Sequence, residues 1–144
     1  MNESLINWDE NTHNFGVDDL DSLHQESTLL VNHLAKTLDE AVFKALFIQL
    51  LDHTKAHYHL EESLMDQSDF SDSLVHKSQH KRMLSELVDT NAMVQAGNIA
   101  IGRALLLDIP SWFENHTAIM DRALADHLKA KGLAHSPYQA RNGA

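Results

Sequence analysis

Apolar residues return every three or four positions through four long segments of this chain, and no run of alternating or β-branched residues interrupts that rhythm. An all-α domain follows. Asp18 or Asp19 is placed to cap a first helix over about 19–38, whose stripe is Leu20, Leu23, Leu30, Val31, Leu34 and Leu38. A second helix runs from about Glu40 to Asp66. The polar stretch QSDFSDS then offers Ser71 or Asp72 as the cap of a third, which ends near Ala96, ahead of Gly97. The fourth, from about Ile99 to Lys131, contains Pro110, whose missing donor and ring clash predict a kink or break. Four helices joined by short connections form an antiparallel, up-down-up-down four-helix bundle. It is expected over residues 1–132, with 1–17 as an irregular N-terminal arm docked through Trp8 and Phe15, and 133–144 as a mobile tail.

Charge and composition narrow the function. Eleven Lys+Arg against 21 Asp+Glu leave a net charge of -10 with no basic cluster, which argues against nucleic acid or an anionic membrane as partner. The most apolar run, Ala41 to Leu51, is broken by Lys44 and Gln49 and falls short of the ~20 residues that cross a bilayer. The amino terminus has neither a positive start nor an apolar run, so a cytoplasmic protein is expected. The absence of cysteine removes disulfides, thiolate metal sites and thiol nucleophiles. Histidine stands out instead, with 11 residues.

At that abundance about one His-x3-His pair arises by chance, so position carries more than count. The apolar track of the second helix, Val42, Leu46 and Leu50, continues as His53, His57 and Glu61. In an antiparallel bundle the start of helix one, the end of helix two, the start of helix three and the end of helix four share one end. His24, His57, Glu61, His76, His80 and His116 then fall at one level inside it. Buried without partners, such groups cost about 1 to 3 kcal/mol each, more than a domain stable by ~5 to 15 kcal/mol can absorb. Neutral imidazole and carboxylate suit iron, zinc, copper or manganese. The donors are too numerous for one tetrahedral ion, and two metals sharing carboxylates would use them.

These residues resemble the hemerythrin family, particularly its single-domain bacterial members. The resemblance runs from Trp8 in NWDE and the acid-rich DDLDSLH ending at His24, through HYHLEESLM from His57 and HKSQH from His76, to WFENHTAIMD from Trp112. It implies that His76, His80 and His116 bind one iron and His24 and His57 the other. Glu61 and Asp121 would bridge them together with an oxo or hydroxo group. The second iron would keep an open position for dioxygen, behind an apolar wall for which Leu23, Trp112, Phe113 and Ile119 or Met120 are candidates. Leu23 and Phe113 depart from the family's usual Gln and Leu, which implies a pocket of different bulk. His116 to Asp121 is an i,i+5 step that turns about 140° on an α-helix. A local π-type widening is predicted there.

The resemblance implies reversible dioxygen binding for storage, delivery or buffering, not enzymatic turnover. A module sensing oxygen, nitric oxide or redox state is the second class. A peroxide- or nitric-oxide-reducing enzyme is the third, and would require an electron donor. His53 shares the ligand track and is placed beside the ligands, orienting one or lining the pocket. His59 and Glu62 are turned away from it, and His13, His33, His127 and His135 are assigned no metal role.

Overall fold

The computed structural model describes residues 5–8 and 13–133. The expected tail, 133–144, lies outside the described residues except for its first position, as does His135. The bundle is built from α1 (Asp18–Lys36), α2 (Glu40–Ser68), α3 (Ser73–Gln95) and a fourth, composite helix. That last helix is α-helical over Ile99–Trp112 (α4), π-helical over Phe113–Asp121 and α-helical again over Arg122–Ala130 (α5). No strand occurs among the described residues, and no helix there is long and apolar enough to cross a membrane.

Local chemistry sets most of these boundaries. The Asp39 side chain accepts the Val42 N–H at 2.9 Å to start α2, and the Asn98 side chain accepts the Ile101 N–H at 3.2 Å to start α4. The start of α1 differs from expectation. Val17 occupies the cap position, and Asp21 reaches backward to accept the N–H groups of Phe15 at 2.8 Å and Gly16 at 3.1 Å. Asp18, Asp19 and Asp21 still place negative charge where the helix dipole favours it. Because α1 closes at Lys36, Leu38 falls outside its stripe and is 90% exposed. Asp72 precedes α3 without a side-chain capping bond, and α3 hands over through Gly97 at φ 107. Pro110 does not end α4 at its own position; the ladder changes three residues later, at Phe113.

Two apolar clusters fill the bundle. One contains Phe43, Phe47, Leu87, Leu106 and Phe113, and the other Leu20, Met65, Leu124 and Leu128. At about 1.5 to 3 kcal/mol per large apolar side chain, they supply the drive for assembly. Helices approach closely at Gly102, where an added Cβ would lie 2.7 Å from Val94 and 2.9 Å from Phe43. Trp8 lies half-buried against the first cluster and Phe15 is buried in the second, while Asn32 pairs with both the N–H and the carbonyl of Ile6.

Three of the four helices carry, on either side of a polar position, a residue of one cluster and a residue of the other. Leu20, His24 and Val31 illustrate it on α1; Tyr58, Glu61 and Leu64 on α2; Phe113, Asp121 and Leu124 on the fourth helix. A layer of ionisable groups is thereby pressed between two dry ones.

Candidate metal centre

All seven residues picked out as metal ligands from the sequence meet in that layer, and all are buried. The two carboxylates divide their oxygens between two groups of imidazoles. Glu61 Oε1 lies 2.9 Å from His80 Nε2 and 3.3 Å from His76 Nε2, while Asp121 Oδ1 lies 2.8 Å from His76 Nε2 and 3.1 Å from His116 Nε2. On the other side, Asp121 Oδ2 is 2.7 Å and Glu61 Oε2 3.4 Å from His24 Nε2, and Glu61 Oε2 also contacts His57 Nε2. In each group the donor atoms lie within 4.8 Å of one another. One side therefore offers three imidazoles and two carboxylate oxygens, the other two imidazoles and two oxygens.

The backbone explains why Asp121 is available. The π-helical stretch from Phe113 to Asp121 is the widening predicted from the i,i+5 spacing, and it brings His116 and Asp121 to one face.

A metal fits these residues on the evidence of their unmet bonding. Among the described residues, every buried side-chain nitrogen or oxygen without a hydrogen-bonding partner belongs to six of these seven: His24, Glu61, His76, His80, His116 and Asp121. Electrostatics agrees. Burial opposes the charge on His24 and His76, yet the adjacent Asp121 and Glu61 carboxylates outweigh it and lift them to about 10 and about 9. Burial likewise pushes Glu61 and Asp121 up, but the surrounding imidazoles hold both carboxyls below their ordinary range. His57 moves the other way, because burial exceeds the pull of Glu61. Concentrated positive charge is what this cluster lacks.

The comparisons with known proteins point the same way. The chain is 29% identical over 128 residues to a bacteriohemerythrin of Ralstonia nicotianae, spanning 89% of this chain and 92% of that protein. It is 28% identical over 130 residues to a bacteriohemerythrin of Stenotrophomonas maltophilia (88% and 84%) and to a hemerythrin-like protein of Naegleria gruberi (90% and 94%). No family model matches the chain. The bundle superposes on a crystal structure of a hemerythrin mutant with a TM-score of 0.81 at 22% identity, covering 88% of this chain and 98% of that one. The chain is a relative of the bacteriohemerythrins.

A cavity of about 60 Å³ borders this site, in contact with His24 and His57 of the two-imidazole side and also with His116 and Asp121. Trp112 and Phe113 line it, as the sequence suggested, together with Val31, Leu50, Met83 and Ile109. Leu23, Ile119 and Met120 do not. Leu23 precedes His24 by one position, about 100° around α1, and is only half-buried. Ile119 is 68% exposed on the outer side of the π-helical segment, and with Met120 it borders a separate surface hollow next to Arg82.

Several supporting residues escaped the sequence reading. Glu62 lies over α3, where Oε2 accepts from His80 Nδ1 at 3.1 Å. Gln79 Oε1 is 3.3 Å from His116 Nδ1. Tyr58 stacks on His80 (centroids 3.8 Å apart, 5° between planes) and Trp112 on His116 (4.8 Å, 9°). A full three-dimensional helix register was needed to find them; the one available signal was their adjacency to ligands, Tyr58 beside His57, Glu62 beside Glu61 and Gln79 beside His80.

His53 is bound to α1 rather than to a ligand: Nε2 meets Glu26 Oε2 at 3.0 Å and Nδ1 meets Ser27 Oγ at 3.2 Å. Its ring stands 6.2 Å from that of His57, outside the cavity lining. His33 and His59 are exposed, and His127 binds the Ser68 carbonyl at 2.7 Å. His13, on the irregular arm and outside both groups of candidate ligands, is buried.

Proposed function

We propose that this protein binds dioxygen reversibly at a di-iron centre, for storage, delivery or local buffering, with His76, His80 and His116 holding one iron, His24 and His57 the other, and Glu61 and Asp121 bridging. The observation that carries this reading is the unequal division of imidazoles about two shared carboxylates, with a largely apolar cavity that reaches both imidazoles of the poorer side, His24 and His57. The likeness to bacteriohemerythrins over most of the chain supports iron as the metal. When bound, the iron pair supplies the electrons and the vacant position that reversible dioxygen binding requires.

The residues supply the rest. On one side His80 is braced from outside by Glu62 and Tyr58, and His116 by Gln79 and Trp112, which fixes two of its three imidazoles. His24 and His57 leave the other side one donor short. Five neutral imidazoles with only two carboxylates offset little metal charge, which favours the reduced pair and release over onward reaction. The apolar walls formed by Trp112, Phe113, Leu50 and Ile109 keep water and stray protons away from the open side.

Metal analysis coupled to optical spectra, with and without oxygen, tests the reading. Two irons per chain and a visible absorption band that appears with oxygen and disappears on its removal are the expected result. Zinc in place of iron, or turnover of peroxide faster than oxygen release, overturns it.

A further inference from the structure

His13 lies on the N-terminal arm, outside the set of candidate ligands, yet it is 6% exposed. Burying an imidazole is costly unless its polar atoms are used and its ring fills space. Both conditions are met here. Nε2 lies 3.1 Å from Glu114 Oε1, which anchors the ring to the π-helical segment. The ring packs edge-on against Phe113, with centroids 5.2 Å apart and planes at 69°, and Trp8 packs on it at 5.1 Å. Phe113 in turn presents its ring to His24 at 6.1 Å and 88°, and forms part of the cavity wall together with His24 and His57. Trp8, His13, Phe113 and His24 are thus a continuous series of rings from the arm to the candidate centre.

Phe113 is the first residue of the π-helical segment, where the α-helical ladder that would brace its backbone gives way to wider turns. Its outward movement is opposed by the ring behind it. We propose that His13 is a positioning residue that holds Phe113 against the cavity and so governs how fast a small apolar ligand leaves. For dioxygen as that ligand, the inference rests on the function proposed above. The packing itself concerns only this chain.

Three variants of the full chain separate backing by the ring from anchoring by the hydrogen bond. His13→Ala removes both, His13→Gln keeps a partner for Glu114 without the ring, and His13→Phe keeps a ring without that partner. Exchange of xenon with the cavity is read by NMR on the chain as purified, free of dioxygen, and dioxygen release by stopped-flow absorbance. In His13→Ala and His13→Gln both rates rise about tenfold, a barrier lower by about 1.4 kcal/mol, while His13→Phe keeps the native rates and all three keep native metal content. If His13→Ala fails to fold, the other two variants retain the comparison.

Absence of xenon binding in the native chain, native exchange in His13→Gln, or fast exchange in His13→Phe overturns the proposal. If the xenon ordering holds while no variant binds dioxygen reversibly, the oxygen reading fails and the positioning role stands.

Discussion

Glu61 and Asp121 hold opposite ends of one problem, since each must serve two groups of imidazoles with its two oxygens. His57 was legible in the sequence because it lies one helical turn before Glu61 where an apolar stripe turns ionisable; His59, about 200° from His57, faces solvent. Replacing His57 with Ala is expected to abolish the dinuclear centre, whereas His59→Ala leaves two irons per chain. Metal analysis of the two variants checks this, and the opposite result means that the wrong face was chosen. Glu62 was less legible, because its partner His80 belongs to another helix and only the crossing of α2 and α3 brings them together. Glu62→Ala removes the acceptor that fixes the His80 ring. Iron affinity should then fall about 10- to 100-fold in a competition titration with a chelator, with the helical signal unchanged.

At the level of elements, the four helices were readable because each carries an apolar stripe of helical period that must be buried, and their ends could be located within a few residues. What was not readable was the behaviour of the fourth helix around Pro110. A missing donor and a ring clash can be absorbed in more than one way, and here α4 passes through Pro110 before the ladder widens at Phe113. The position of Asp121 depends on that widening, although nothing in its apolar periodicity announces a ligand. Inserting one alanine after Ala118 should lengthen the step from His116 to Asp121 to i,i+6, about 240° around an α-helix, and rotate Asp121 away from His116. Iron content is then expected to fall well below two per chain while circular dichroism remains helical. Full iron loading of the lengthened chain would show that the spacing across the π-helical segment does not place this carboxylate.

For the whole molecule, the consequence of pressing a charged layer between two apolar clusters is that protons and metal compete for it. Without metal, Glu61 and Asp121 titrate below their ordinary range, so their contribution to stability is present near neutrality and is lost as pH falls through the acid range. His24 and His76 are lifted to about 10 and about 9, so their contribution is complete below pH 6.5 and disappears as pH rises through those values. The metal-free chain should therefore be most stable on the acid side of neutrality and weaken steadily toward pH 10. Metal replaces those protons. Loading at pH 7.5 should release about two protons per chain, from His24 and His76, measurable with a pH indicator in weak buffer. Metal affinity should climb with pH as there is less proton to displace, and so the gap in Tm between loaded and metal-free protein should widen from pH 6.5 to pH 10. A gap that stays constant in calorimetry across that range, or loading without proton release, would mean that these two imidazoles are not where the metal binds.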